Sequence, residues 1–275
     1  MIIASTAVFA FVLAFVLGSA LGFFREFFAV PHDSLIDEIR EVLPGANCGA
    51  CGFPGCDAYA AAVAGGKTGI TGCSVGGQKT AEALSALMGV SGTVISTVSF
   101  LGCQGSSVHV REKGHYTGLE TCRGAKISAG GTRLCAFGCL GFGDCVKVCK
   151  FGALSMGENG LPRFDHAKCT GCKLCTNECP QQIIRNLPRD MHGAMVLCSS
   201  RGSSRANVTR ACRIACIKCG LCVKNCPEQC IVMENNLPRV DYVKCTSCGT
   251  CVEKCPTKVF KILERDVIGK SPRPE

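Results

Sequence analysis

Residues 212–227 read C-R-I-A-C-I-K-C-G-L-C-V-K-N-C-P, with cysteines separated by three, two, two and three residues and a proline directly after the last. The core of this run, Cys216, Cys219, Cys222, Cys226 and Pro227, is the C-x2-C-x2-C-x3-C-P spacing that wraps a [4Fe–4S] cluster. Three of its thiolates hold one cubane, and the fourth crosses over to a neighbouring one.

Working outward, the run belongs to an internal repeat. L-P-R-F-D at Leu161–Asp165 returns as L-P-R-V-D at Leu237–Asp241. Cys169, Cys172, Cys175 and Cys179 return 76 positions later as Cys245, Cys248, Cys251 and Cys255. Further upstream the offset is 77: Cys135, Cys139, Cys145 and Cys149 map onto Cys212, Cys216, Cys222 and Cys226. Cys122 lies near the image of Cys198. Each unit is thus a two-cluster ferredoxin-like module with extra cysteines on its N-terminal side.

Crossover then assigns the ligands. One cluster takes Cys216, Cys219, Cys222 and Cys255, and its neighbour takes Cys245, Cys248, Cys251 and Cys226. In the first module Cys169, Cys172, Cys175 and Cys149 form one cluster. Cys139, Cys145 and Cys179 form another with one ligand missing, because the image of Cys219 is Phe142. Cys135 is the nearest substitute, and a ligand looping in from elsewhere stays open. Cys103, Cys122, Cys198 and Cys212 remain as candidates for a sixth cluster, with Cys230 as an odd thiol opposite Ala153 of the first module.

A separate cysteine group stands at 48–73: Cys48, Cys51, Cys56 and Cys73, with glycines at 49, 52 and 55. Four thiolates suit one cluster, and the glycines let the backbone approach the sulfurs. The Ala-rich stretch 57–64 reads as a helix whose N-terminal amides face an anionic cluster, and a second helix spans about 80–88. Residues 93–100, T-V-I-S-T-V-S-F, alternate like a strand, with S-V-H-V-R at 107–111 as its partner.

Residues 2–24 are uncharged and apolar. As a helix they reach roughly 34 Å at 1.5 Å per residue, enough for a bilayer core of about 30 Å. A cleaved signal peptide is disfavoured, since no Lys or Arg precedes the run and it is long for such a segment. Arg25 and Arg40 follow it, which places everything after Phe24 on the cytoplasmic side.

The whole divides into a transmembrane anchor (1–28), an N-terminal 4Fe–4S domain (29–90), a connecting segment with strands (91–131) and ferredoxin-like modules at 132–190 and 191–275. The expected class is α+β: a single N-terminal transmembrane helix, a small helical cluster domain, then tandem two-cluster modules.

Composition agrees. Cysteine supplies 25 of 275 residues, far above ordinary usage. A disulfide scaffold would be short and irregularly spaced. Zinc would be overcrowded by four thiolates in eleven residues. The formal charge of +9 treats every thiol as neutral; six clusters at about −2 each bring the metallated chain to about −3. The many lysines beside the motifs are read first as local compensation, then as a surface for an acidic protein. No G-x-G-x-x-G, P-loop or nucleophile triad supports further chemistry, and nothing points to nucleic acid. His109 and His115 read as solvated loop residues rather than ligands.

The anchor, the segment N-C-G-A-C-G-F-P-G-C-D-A-Y-A at Asn47–Ala60, the run C-L-G-F-G-D-C-V-K-V-C at Cys139–Cys149 and the second module together resemble the B subunits of Rnf complexes, in their long form. Such a complex is a membrane ferredoxin:NAD+ oxidoreductase coupled to Na+ or H+ translocation. The resemblance implies that the chain accepts electrons from soluble ferredoxin and passes them to other membrane and flavin subunits. Two other classes stay open: a relay in a related reductase serving a redox-sensing regulator, and a non-catalytic metal scaffold.

Overall fold

The computed structural model describes residues 2–27 and 33–263. The expected anchor end at 28, the start of the next domain at 29 and the end of the second module at 275 lie outside the described residues.

Helix α1 (Ile2–Phe27) carries the apolar run, with Arg25 in its last turn. Its 26 residues extend about 39 Å. Its central apolar side chains face outward, Phe11 at 74% and Leu21 at 70% exposure. Among the described residues it is the one helix long and apolar enough to cross a bilayer.

Three helices follow. Asp33 caps α2 (Ser34–Val42), its carboxylate accepting from the Leu35 amide at 3.0 Å; α3 spans Cys56–Ala64 and α4 Gly77–Met88. Both helices expected from the sequence are therefore present. Small alanines along α3 let α2 approach closely, and Ile39, Tyr59, Val63 and Leu84 fill the shared interior.

The rest is built on short antiparallel ribbons around short helices. Strand β1 (Thr97–Leu101) precedes α5 (Cys122–Ala129) and α6 (Asp144–Lys147). Strands β2 (Leu154–Met156) and β3 (Pro162–Phe164) pair with each other. Then come α7 (Leu174–Glu178), β4 (Ile184–Pro188), β5 (Gly193–Val196), α8 (Arg205–Ala211) and α9 (Leu221–Lys224). The paired strands β6 (Ile231–Glu234) and β7 (Leu237–Val240), α10 (Thr250–Lys254) and β8 (Phe260–Leu263) complete the order.

One expectation is corrected. The strand at 97–101 pairs not with 107–111 but with β4, Leu101 opposite Ile184. Residues 107–111 contribute only an isolated bridge, Val110 to Cys212. The reason is burial: Val98, Ser99 and Phe100 are all buried, and β4 closes the first module's core against them. Strand β8 is joined in the same way by β5, with Val196 opposite Phe260. Each ribbon thus pairs the module's last strand with a strand that precedes its cysteine runs.

Candidate metal centres

None of the 25 cysteines forms a disulfide. They gather instead into tetrads. Cys48, Cys51, Cys56 and Cys73 surround one small cavity. The Asn47 side chain accepts from the Cys56 amide at 2.8 Å, so the loop closes onto the first turn of α3. The Tyr59 hydroxyl donates to the Gly69 carbonyl at 2.9 Å and accepts from the Gly72 amide at 3.1 Å. Those two bonds fix the approach of Cys73, whose sulfur accepts from the Gly76 amide at 3.4 Å.

In the second module Cys216, Cys219, Cys222 and Cys255 line one cavity. Cys226, Cys245, Cys248 and Cys251 line another, together with Cys230. In the first module Cys169 and Cys175 are buried, and Cys149 packs against the same buried group; Cys172 lies within electrostatic reach of both Cys169 and Cys175.

Each ferredoxin-type loop winds the same way. Lys218 and Gly220 flank Cys219 with φ of 59° and 72°, and Ser247 and Gly249 flank Cys248 with 62° and 80°. Gly141 and Gly143, at 86° and 75°, reproduce the turn around Phe142. The loop of the incomplete run thus keeps its conformation without its cysteine, and the Phe142 ring meets Tyr116 instead, 5.7 Å between centroids.

The thiol that completes this group comes from elsewhere. The fourth thiol beside Cys139, Cys145 and Cys179 is Cys122, not Cys135. Cys122 opens α5, which Thr121 caps by accepting from the Gly124 amide at 3.0 Å. Buried Asp144 accepts from the Arg123 amide at 3.1 Å and so ties the start of α5 to α6. Sequence reasoning missed this because Asp144 and Cys122 are 22 positions apart with no motif joining them.

Cys135 is thereby released to a different group. The Cys103, Cys135, Cys198 and Cys212 thiols each bear electrostatically on others of the four. A Cβ built on Gly105 would stand 3.5 Å from the sulfurs of both Cys103 and Cys212. Buried Arg133 donates to the Gly105 carbonyl at 2.9 Å, holding the Cys103 loop to the segment that carries Cys135.

This tetrad is internally symmetric. Cys103 follows Leu101 by two residues as Cys198 follows Val196, and those two residues occupy matching positions in the β1–β4 and β5–β8 ribbons. The counterpart of Cys198 is therefore Cys103 rather than Cys122. Cys103 and Cys135 are 32 positions apart, Cys198 and Cys212 only 14. The longer connection in the first module carries α5, and α5 supplies Cys122.

These donors fit an iron–sulfur cube. Among the described residues no group of three or more His, Cys, Asp or Glu converges on a single ion; the thiols stand around a space instead. The Ser247 hydroxyl and the Lys218 ammonium, both within cysteine loops, are buried without a partner, as donors facing acceptor sulfurs would be. Burial pushes the Cys139 and Cys145 thiols up to about 12, and those of Cys212, Cys216 and Cys251 up to about 11. Metal binding there must displace protons. Exposed Cys248 goes the other way, its thiolate held by the Thr250 hydroxyl. His109 bonds Ser106 at 2.6 Å and joins no tetrad.

Neighbouring tetrads approach one another in succession. Cys48 lies within electrostatic reach of Cys172, beside a Lys150 ammonium that donates to the Asn47 carbonyl at 3.2 Å. Cys175 bears likewise on Cys145. The Cys139 amide donates to Cys103 Sγ at 3.5 Å, and the Cys216 amide to Cys198 Sγ at 3.4 Å. Short helix α9 carries Cys222 and ends at Lys224, just before Cys226.

Comparison with known families agrees with this chemistry. Residues 43–75 match a family described as a putative Fe-S cluster. Residues 134–183 and 215–259 both match the 4Fe-4S dicluster domain. The chain is 40% identical over 233 residues to the B subunit of the Na(+)-translocating ferredoxin:NAD(+) oxidoreductase complex of Acetobacterium woodii, covering 84% of this chain and 69% of that one. It is 40% identical over 232 residues to the B subunit of the proton-translocating ferredoxin:NAD(+) oxidoreductase complex of Clostridium ljungdahlii (84% and 81% covered). With the B subunit of the ion-translocating oxidoreductase complex of Methanosarcina acetivorans it shares 38% over 203 residues (74% and 76%).

Proposed function

The chain belongs to the family of B subunits of Rnf-type ion-translocating oxidoreductase complexes, and from that premise we propose that it is the complex's iron–sulfur electron relay, taking electrons from reduced ferredoxin and handing them to the other membrane and flavin subunits. When bound, a [4Fe–4S] cluster supplies one-electron storage at a potential set by its surroundings.

The residues assigned to hold such clusters are six tetrads. In order of succession they are Cys48/51/56/73, Cys149/169/172/175, Cys122/139/145/179, Cys103/135/198/212, Cys216/219/222/255 and Cys226/245/248/251. The fourth tetrad takes Cys103 from the connecting segment, Cys135 from the first module and Cys198 and Cys212 from the second, and joins them into one path. Around the tetrads, Ile39, Val98, Phe100, Val196 and Val259 exclude water.

The proposed arrangement is α+β: an anchor at 1–28, a small helical cluster domain at 29–90, a connecting segment at 91–131, and modules at 132–190 and 191–275. Arg25 at the end of α1 favours a cell-membrane anchor with the remainder on the cytoplasmic side. Exposed Cys219 and Cys248 make the second module the entrance for a soluble donor, and the tetrad nearest the anchor the exit.

The observation that carries this reading is the succession of neighbouring thiol groups, from Cys48 in electrostatic reach of Cys172 to the Cys216 amide on Cys198 Sγ. The test is anaerobic reduction of the detergent-solubilised chain by reduced ferredoxin, with NAD+ present. Bleaching of the brown absorbance without NADH formation supports a relay; NADH formation by the flavin-free chain contradicts it.

A further inference from the structure

The tetrad Cys226, Cys245, Cys248 and Cys251 shares its cavity with a fifth thiol. Cys230 is 4% exposed, and its sulfur lies 3.4 Å from that of Cys226. Cys245 is its other thiol neighbour.

Packing does not require a sulfur here. The matching position in the first module is Ala153, 2% exposed. The backbone does the same work at both places: the Asp165 amide donates to the Ala153 carbonyl at 2.8 Å, and the Asp241 amide to the Cys230 carbonyl at 2.7 Å. The two sites therefore share ligand spacing, loop winding (Gly171 and Lys173 flank Cys172 with φ of 68° and 63°) and backbone pairing. They differ at this position by one sulfur, placed against a ligand.

The contact can run in only one direction once the site is loaded. A thiolate bound to iron carries no proton, so Cys226 can only accept, and the proton in the 3.4 Å contact belongs to Cys230. A hydrogen bond to a ligand sulfur withdraws negative charge and favours the reduced cluster. We infer that Cys230 is a positioning residue that donates a hydrogen bond to the Cys226 ligand sulfur, setting this site at a higher reduction potential than its twin Cys149/169/172/175. The inference rests on the proposed assignment of Cys226, Cys245, Cys248 and Cys251 as a cluster site.

Cys230→Ala and Cys230→Ser test it in the full-length, anaerobically purified chain, by iron and sulfide analysis with potentiometric titration followed by electron paramagnetic resonance. Both variants are expected to keep their iron. One titrating component should move to more negative potential in Cys230→Ala and return part of the way in Cys230→Ser, whose hydroxyl is also a donor. Unchanged midpoints in Cys230→Ala overturn the inference. So does a loss of about four irons in that variant, which makes Cys230 a ligand. A Cys248→Ala chain that keeps all its iron removes the underlying assignment instead, and so separates the two failures.

Discussion

The amide of Cys216 donates to the sulfur of Cys198 at 3.4 Å, and its repeat image Cys139 does the same to Cys103 at 3.5 Å. The first ligand of each module is thus bonded to one half of a shared tetrad. That symmetry makes the tetrad part of the fold rather than a remainder of unused thiols.

Because Cys122 and Cys135 stand in different tetrads, their losses should add. Each single change to Ala should remove about four irons, and the double variant about eight. Iron analysis of the three proteins decides the matter: a double variant that loses only about four places both cysteines at one site.

Arg133 is buried and donates to the Gly105 carbonyl at 2.9 Å, and its charge bears on Cys135 and Cys139. In Arg133→Met that carbonyl is left unpaired, costing about 1–3 kcal/mol. Iron should be lost first from the shared tetrad, seen as a drop of about four irons under mild chelation. Wild-type retention would contradict the role assigned to this side chain.

Much of this was legible in the sequence. Repeating cysteine spacing identified both modules, because consecutive ligands of one cluster sit on a single tight loop. The apolar run at 2–24 and the helices at 57–64 and 80–88 were equally local signals. What sequence could not show was long-range pairing. The partner of β1 lies 87 positions downstream in β4, Ser99 opposite Asn186, and Cys122 reaches its site through Asp144. The equivalence of Cys103 and Cys198 was hidden by the longer connection that carries α5, which moved the offset away from 77.

In the N-terminal domain the Tyr59 hydroxyl joins Gly69 to Gly72. Tyr59→Phe leaves both backbone groups without that partner and should lower stability by about 1–2 kcal/mol. The loop bearing Cys73 should loosen with it. Faster iron release from this one site, with the remaining iron unaffected, is the expected result; uniform release across all sites would show that the hydroxyl has no local role.

In the iron-free chain, thiol reactivity should follow environment. Cys248 is exposed and its pKa is lowered by the Thr250 hydroxyl, while burial pushes Cys139 up to about 12. At mildly alkaline pH the thiolate, which is the reactive form, is therefore present at Cys248 and scarce at Cys139. Limited alkylation mapped by peptide mass spectrometry should label Cys248 well before Cys139, and the reverse order would contradict the described burial.

The central claim is that Cys103 and Cys135, from the connecting segment and the first module, and Cys198 and Cys212, from the second, build a bridging metal site. An iron-edge anomalous scattering map of the anaerobically purified chain tests it directly. Iron density should stand among Cys103, Cys135, Cys198 and Cys212, with a separate centre beside Cys122. Clear density at the other tetrads and none among those four cysteines would contradict the account.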